Sequence, residues 1–345
     1  MNTLATSFHI PEFLHAEVPP EHKGMSRDEV RLMVLQEDED SAYHKRFEEI
    51  DQFLEDGDVI VLNNSRTIPP VLKGCLGKQN VEIRLSRKIS TNQWEALLLG
   101  TFRQINVPIQ FPEGLEATIS GLGSEPPLVT LSFSKGGSSL LDYIYRYGEP
   151  VRYEYIHHPW PLETYQTVYG AIPGSVEMPS AGRAFTWDLL SKLKAKGVQT
   201  TYIQLHAGLS YYEQNRWPNP KNHPEAFNVP EETARLITQA KQNSNRVIAV
   251  GTTVVRALES AVNEHGEVKA ISGITRLYID QNHRVITVDG LLTGFHEPEA
   301  SHLHMLTAFL PEKKLMKAYG EALHKGYLWH EFGDMNLILP AGNLE

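Results

Sequence analysis

Cysteine is nearly absent, because Cys75 is the single cysteine among 345 residues. One chain therefore cannot form an internal disulfide or a cysteine-based metal cluster, and we expect Cys75 to fill a small apolar space. No apolar run approaches the length of a membrane span, and the N-terminus lacks the basic and hydrophobic regions of a signal peptide. We therefore predict a cytoplasmic protein without a membrane partner.

Basic charge is scarce as well. The formal net charge is −10, with 32 Lys and Arg residues against 42 Asp and Glu residues. A protein that coats nucleic acid presents a basic face, so this balance excludes a general nucleic-acid coat and leaves room only for a local patch. A local basic excess is present, and it fits either an RNA contact or an evenly solvated surface. Its residues are Lys73, Lys78, Arg84, Arg87 and Lys88.

Common catalytic motifs are missing too. The sequence contains no Walker-type phosphate loop, no Gly-x-Ser-x-Gly elbow and no dinucleotide fingerprint after a predicted strand. Histidine is abundant, with 15 copies, and His296, His302 and His304 suggest a metal site. However, His302 and His304 lie two apart on a predicted helix and point in different directions, so we predict no metal.

Two secondary-structure patterns divide the chain. In residues 1–69 and 156–345, short apolar β-branched runs alternate with amphipathic helices, which indicates an α/β main domain. Residues 70–155 contain short alternating strands between Gly, Asn and Pro turns, which indicates an inserted small antiparallel β-barrel domain. Residues 273–279 and 284–288 are predicted to form a hairpin in the main domain.

The segment Arg246–Ser260 gives the clearest local prediction. Val247 to Val250 reads as a buried strand, a glycine follows it, and one of the next two threonines can cap a helix. The amino end of such a helix attracts anions at the carboxyl edge of a sheet. The alternative is a buried βα unit without a ligand. The candidate ligand-binding residues here are Gly251, Thr252, Thr253, Arg256 and Glu259.

Other polar residues lie near the carboxyl ends of predicted strands, where α/β sheets place ligands. A histidine at such a place can act as acid or base near neutral pH, and it can equally be a hydrogen-bonded structural residue. The further candidates are Asn63, Arg66, His206, Asp289 and His296.

Several separate stretches occur in the order found in one family. They include Asp56–Pro69, Tyr165–Tyr169, Leu205-His206, His223-x-Glu225, Val247–Ser260, Phe295-His296-x-Pro298 and Gly333-Asp334. On these residues, the chain resembles the S-adenosylmethionine:tRNA ribosyltransferase-isomerases of the queuosine pathway over nearly its whole length. The Val-Gly-Thr-Thr block beginning at Val250 is the most specific part of the resemblance.

The resemblance implies an open α/β barrel-like main domain with an inserted β-barrel. It implies tRNA as partner and S-adenosylmethionine as a small-molecule sulfonium donor of its ribosyl group. That group is transferred to and rearranged on 7-aminomethyl-7-deazaguanine at the wobble position, giving epoxyqueuosine, adenine and methionine. On this basis His206 and His296 are expected to act as acid and base. The methionine carboxylate or a phosphate is assigned to Gly251, Thr252, Thr253 and Arg256, and ribose or base contacts to Asn63, Arg66 and Asp289.

The sequence departs from the family pattern in loops expected to line the site. Arg183 and Ala184 stand where the family has Leu and His, Glu297 and Glu299 where it has Leu and Lys, and Met335-Asn336 where it has Ala-Met. The missing histidine could remove a catalytic group. Two alternatives therefore remain open: a paralogue that uses S-adenosylmethionine with a different, small-molecule acceptor, and a non-enzymatic ligand- or RNA-binding descendant. The sequence does not determine the acceptor or the oligomeric state.

Overall fold

The computed structural model describes residues 8–100, 107–214, 216–219, 221–298 and 301–341. The first strands are β1 (Arg31–Gln36), β2 (Tyr43–Arg46), β3 (Val59–Asn63) and β4 (Ser65–Thr67). Then come β5 (Val71–Leu76), β6 (Gln79–Lys88), β7 (Gln93–Leu99), β8 (Ile109–Gln110), β9 (Glu116–Leu122) and β10 (Val129–Phe133). The later strands are β11 (Ile172–Ser175), β12 (Gln199–Leu205), β13 (Glu225–Val229), β14 (Val247–Val250), β15 (Ile271–Thr275), β16 (Gly290–Gly294) and β17 (Met335–Leu339).

The α-helices lie between or after these strands. They are α1 (Gly137–Tyr147), α2 (Trp187–Ala195), α3 (Glu231–Gln242), α4 (Thr252–Ser260), α5 (Ser301–Leu306) and α6 (Glu312–His324). Short 3₁₀ helices are present at Glu12–Leu14, Pro20–Lys23, Arg27–Glu29, Phe47–Phe53, Pro112–Gly114, Leu162–Tyr165 and Ser180–Gly182. No helix in the described ranges is long and apolar enough to cross a membrane.

A nine-stranded open sheet forms the main body, in the order β15-β13-β12-β3-β14-β16-β17-β1-β2. Its central strands β12, β3, β14 and β16 are parallel neighbours. All four residues of β14 are buried, as expected for a strand covered on both faces. Because parallel strands end at one edge, the residues after β3 and after β14 lie close together.

The second unit is a closed antiparallel barrel of β10-β7-β6-β5-β8-β9. Its inward side chains, such as Trp94, Leu131 and Phe133, form one apolar core, against which α1 packs Leu140 and Ile144. The predicted fold class is confirmed: an α/β protein with a large open sheet and a small closed antiparallel barrel. The domain boundaries at 69/70 and 155/156 stay a prediction.

Two sequence-based expectations about strands are wrong. The predicted hairpin does not form, because β15 ends at Thr275 and pairs with β13, while residues 284–288 are not a strand. Instead, the backbone N–H groups of Ile286 and Thr287 donate to the carboxylate of Glu259. Cys75 is exposed rather than buried, because alternate residues of β5 turn to opposite faces and Leu76 takes the inner one.

The amino ends of α2 and α4 are capped differently, and the threonine cap expected for α4 does not form. Thr186 caps α2, since its hydroxyl accepts a hydrogen bond from the backbone N–H of Leu189 at 3.1 Å. No threonine caps α4. Its N-cap is Gly251, with φ +91° and no side-chain capping bond. Such a φ is readily adopted only by glycine, so the first turn of α4 is left without a capping side chain.

Candidate active site

A cavity of about 980 Å³ lies beside the amino end of α4. Gly251, Thr252 and Thr253 line it. The chain turns there because Gly251 donates its backbone N–H to the carbonyl of Leu292 at 2.8 Å and adopts a positive φ. The first N–H groups of a helix have no intrahelical partner and carry partial positive charge. This part of the wall therefore suits an anionic group.

Arg256, one turn into α4, also lines the cavity. Its Nη1 pairs with the carboxylate of Glu225, and its Nε donates to the carbonyl of Leu277 at 3.0 Å. Burial opposes the ionisation of Glu225, but the charge of Arg256, together with the hydrogen bonds from Arg256 and the backbone of Gly208, lowers the pKa of that carboxyl overall. The Nη2 of Arg256 is buried and has no hydrogen-bond partner among the described residues. One guanidinium nitrogen thus remains for a ligand.

His223 stands beside this arginine in the cavity wall. The residue is 7% exposed, and its Nδ1 lies 3.2 Å from the hydroxyl of Tyr212. Its Nε2 is buried and unpartnered within the described chain. We call the amino end of α4 with Arg256 and His223 the anion end. Sequence reasoning missed His223 as a candidate, although it belongs to the His223-x-Glu225 motif shared with the family.

His296 lines the cavity next to the anion end. Its Nε2 lies 2.8 Å from the hydroxyl of Thr293, and its ring stacks on His302 at 5.1 Å. Burial, with a smaller contribution from the charge of His302, lowers the pKa of His296 to about 3. The ring is therefore neutral at physiological pH.

Glu297 and His330 form an ion pair in the same wall, with 2.9 Å between carboxylate oxygen and Nδ1. Burial opposes the charge of Glu297, but the hydrogen bond from His330 lowers the pKa of Glu297 to about 2. The ring of Tyr155 stacks on His330 with 3.8 Å between centroids. The carboxylate of Glu297 is thus held ionised beside an aromatic side chain.

Two further carboxylates line the cavity, and no sequence pattern marked them. Glu177 accepts a hydrogen bond from the Tyr153 hydroxyl and one from the backbone N–H of Ser210 at 2.7 Å. Glu331 accepts one from the Tyr155 hydroxyl at 2.6 Å. Burial raises the pKa of Glu177 to about 7 and also raises the pKa of Glu331. We call these two glutamates with their tyrosines the acid end.

Asn63, Arg66 and His206 do not line the cavity. The amide nitrogen of Asn63 donates to the Leu205 carbonyl at 2.9 Å and to the Thr253 hydroxyl at 3.3 Å, so it supports the start of α4 from behind. Arg66 donates to the carbonyl of Gly170 at 3.2 Å. The Nδ1 of His206 lies 2.7 Å from the Ser65 hydroxyl, and burial and the charge of Lys88 lower its pKa.

Glu259 and Asp289 also lie away from the cavity. Glu259 accepts the two backbone N–H groups that replace the predicted hairpin. Asp289 pairs with Lys241 at 2.7 Å and accepts the backbone N–H of Val247 at 2.8 Å, at the amino end of β14. The anion end lies at the carboxyl end of that strand. The structure therefore does not bring Asp289 and Gly251 together.

The residues that depart from the family pattern occupy different surroundings. Arg183 is buried and pairs with Glu21, and Ala184 is buried in the sheet core. Glu297 is the one of these that lines the cavity, while Glu299 lies outside the described residues. Asn336 is fully buried, and both its amide atoms lack partners in the described chain. The described residues contain no group of three or more side chains that could hold a metal ion.

The chain matches known proteins over nearly all of its length. A family model described as queuosine biosynthesis protein matches residues 4–338. S-adenosylmethionine:tRNA ribosyltransferase-isomerases from Thermus thermophilus and Desulforamulus reducens are 38% and 34% identical, covering 97% and 96% of this chain and 99% and 98% of their own lengths.

A solved S-adenosylmethionine tRNA ribosyltransferase from Thermotoga maritima is similar in fold as well as in sequence. It is 31% identical, covers 96% of this chain and 99% of its own, and superposes with a TM-score of 0.56. The match to the family model and these relatives lead to one conclusion: the chain belongs to the queuosine biosynthesis family of S-adenosylmethionine:tRNA ribosyltransferase-isomerases.

Proposed function

We propose that this protein is an enzyme that transfers and isomerises the ribosyl group of S-adenosylmethionine. The acceptor is 7-aminomethyl-7-deazaguanine at the wobble position of tRNA, and the products are epoxyqueuosine, adenine and methionine. Family membership over nearly the whole chain supports the reaction class. The anion end of the cavity is the structural observation that supports the donor.

The anion end suits the carboxylate of the donor's methionine moiety. Arg256 presents a buried nitrogen donor without a partner beside the amino end of α4. A buried donor left unsatisfied costs about 1–3 kcal/mol, so a ligand oxygen that accepts from it is strongly favoured. The backbone groups of Thr252 and Thr253 add the positive end of the helix dipole.

The acid–base step falls to His296 in this proposal. The sulfonium of the donor acidifies the C5′ hydrogens, and a nearby neutral base can remove one of them. Burial keeps the imidazole of His296 neutral, and the hydroxyl of Thr293 orients the ring. Because burial also makes the ring a weak base, the step depends on the strong acidity that the sulfonium gives the C5′ hydrogens. His206 is hydrogen-bonded to Ser65 and does not line the cavity. We therefore give His206 a positioning role beneath the cavity wall.

The reaction is tested with purified protein, S-adenosylmethionine and tRNA carrying the aminomethyl base. Formation of epoxyqueuosine and stoichiometric adenine, detected by mass spectrometry of the nucleosides, is the expected result. Complementation of cells that lack the queuosine enzyme gives the same readout in vivo. Soluble protein that forms neither product would contradict the proposal.

A second candidate is the same donor chemistry on a different, small-molecule acceptor. The ion pair of Glu297 and His330 favours it, because it adds charge to the cavity wall at a position where the family has leucine. Adenine released from S-adenosylmethionine without any change in tRNA would support this candidate over the first.

A further inference from the structure

We propose that Glu177 and Glu331 form a subsite that binds a primary ammonium group of a substrate. The two carboxylates lie in the wall of one cavity and come from separate segments, the loop after β11 and the loop before β17. The inference deepens the proposed function, because either substrate of that reaction carries such a group. The ammonium group would be held at the acid end of the cavity.

The hydrogen bonds at the acid end solvate these carboxylates without neutralising them. Tyr153 donates to Glu177 and Tyr155 donates to Glu331. Burial and the adjacent carboxylate raise the pKa of each tyrosine well above its usual value. Both tyrosines therefore stay protonated and neutral. They donate hydrogen bonds to the carboxylates but do not balance their negative charge.

Two basic side chains near the acid end are already engaged, and a third, Arg152, lies close enough for its charge to act on the Tyr165 hydroxyl. His330 lies close to Glu331, but it is bound to Glu297. The charge of Arg183 also reaches Glu331, but its guanidinium is paired with Glu21. Two close carboxylates that form no direct salt bridge repel each other, and burial makes this repulsion costly. A bound ammonium group would remove the imbalance.

Unpartnered hydroxyls give a second, independent indication of a ligand. Tyr165 and Thr67 line the cavity, are 4% and 2% exposed, and have hydroxyl oxygens without a partner in the described chain. Burial and, to a smaller extent, the charge of Glu331 raise the pKa of Tyr165, so the two side chains are near each other. Thr67 pairs in register with Ser175, two residues before Glu177. Hydroxyl oxygens accept hydrogen bonds, so together with the carboxylates they match the three N–H donors of an ammonium.

The same subsite can free an amine for attack. Transfer of one proton from the ammonium nitrogen to the carboxylate of Glu177 breaks one N–H bond, forms one O–H bond and leaves a neutral amine with its lone pair. A base works best when its pKa lies near the working pH, and burial raises the pKa of Glu177 to about 7.

Calorimetry with paired ligands tests the subsite without requiring turnover. The acceptor pair is 7-aminomethyl-7-deazaguanine and 7-methyl-7-deazaguanine, and the donor pair is S-adenosylmethionine and its analogue lacking the α-amino group. Each is titrated into wild type, Glu177→Gln, Glu331→Gln and the control Glu154→Gln, an exposed acid outside the cavity wall. We expect both cavity variants to lose roughly 10- to 100-fold in affinity for the amine-bearing member of one pair only.

The pair that responds identifies whether the ammonium belongs to the acceptor or to the donor. Equal binding of all four ligands by wild type and both variants would overturn the subsite, and so would an equal loss for amine-bearing and amine-free members. If a variant does not fold, titrations of the wild type at several pH values still test the subsite. Its affinity for the amine-bearing ligand should then fall as the pH is lowered through about 7, relative to the amine-free ligand.

Failure of the subsite and failure of the proposed function give different results. Amine-dependent binding without any epoxyqueuosine would keep the subsite and reject the acceptor reaction. Epoxyqueuosine formed at the wild-type rate by Glu177→Gln and Glu331→Gln would keep the reaction and reject the subsite.

Discussion

The anion end and the acid end of one cavity are built in opposite ways. The anion end is a regular βα connection, in which β14, Gly251 and α4 direct backbone dipoles at the cavity and Arg256 adds charge. The acid end consists of side chains on loops that precede or follow distant strands, with Glu177 and Glu331 as its charges. A cavity with these two ends is complementary to a carboxylate at one place and a cation at another.

This difference also changes how each end tolerates ionisation. At the anion end, Arg256 lowers the pKa of Glu225 despite burial, so both partners are charged. At the acid end, burial dominates and raises the pKa of Glu177. At the anion end, the protein itself balances most of the charge of Glu225. At the acid end, a positively charged ligand would stabilise the ionised form of Glu177 the most.

The largest expected effect lies between the two ends, at His296. We expect His296→Gln to lower kcat by about 100-fold or more, because a base at the reacting carbon typically contributes that much. The affinity for S-adenosylmethionine should stay near the wild-type value. Single-turnover kinetics and calorimetry measure the two quantities, with His324→Gln on the exposed face of α6 as control. A variant with normal kcat would remove His296 from the mechanism.

The next effect tests the anion end itself. Arg256→Ala should weaken S-adenosylmethionine binding by about 10- to 100-fold, since charge-assisted hydrogen bonds contribute about 1.5–3 kcal/mol. An analogue without the carboxylate should bind wild type and variant alike. Arg235→Ala, on the exposed side of α3, is the matched control. Because Glu225 loses its partner, thermal melting must first show that the variant is folded.

The strand, glycine and helix of the anion end could be predicted from sequence because their signals are local, whereas His223 was missed. The apolar run Val247–Val250, the glycine after it and the helix formers from Arg256 onward are adjacent in the chain, so periodicity places them correctly. The missing threonine cap was not predictable in this way. The positive φ of Gly251 already ends the strand and starts the helix, and that backbone angle is not visible in residue identity.

The acid end could not be predicted, because its parts are far apart in sequence. Glu177 and Glu331 are joined only by the cavity, and each meets a tyrosine from a third segment. Local patterns also misplaced Glu259, which was expected near the ligand. Glu259 faces away on α4 and holds residues 286 and 287 instead, because this loop needs an acceptor once the hairpin is absent.

A smaller effect is expected at Asp289, which lies outside the cavity. Asp289→Asn should leave the affinity for S-adenosylmethionine within about twofold of wild type, because Asp289 lies at the amino end of β14. The free energy of unfolding should fall by about 1 kcal/mol, since the ion pair with Lys241 and a charged acceptor for the N–H of Val247 are weakened. Denaturant unfolding and calorimetry measure both. A large loss of affinity would place the ligand at the opposite edge of the sheet.

The smallest effect is a pH-dependent difference in stability at the acid end. Burial raises the pKa of Glu177 from 4.5 to about 7, so between these values the folded protein keeps a proton that the unfolded chain has released. The protonated carboxyl of Glu177 therefore favours the folded state. Its contribution to the free energy of unfolding is fully present below about pH 4.5 and is lost as the pH rises through about 7. Glutamine does not ionise, so the melting temperature of Glu177→Gln relative to wild type should rise by on the order of 2 °C from about pH 5 to about pH 8.

The control for this measurement is Glu154→Gln, which replaces an exposed side chain outside the cavity wall. Adding the amine-bearing ligand supplies the missing positive charge. The pH-dependent difference should then shrink, because a bound ammonium stabilises the ionised carboxylate of the wild type and not the amide of the variant. If the pH-dependent difference in melting temperature stays the same with ligand, Glu177 is buried but does not face a bound cation. The two ends of the cavity would then differ only in how deeply their carboxylates are buried.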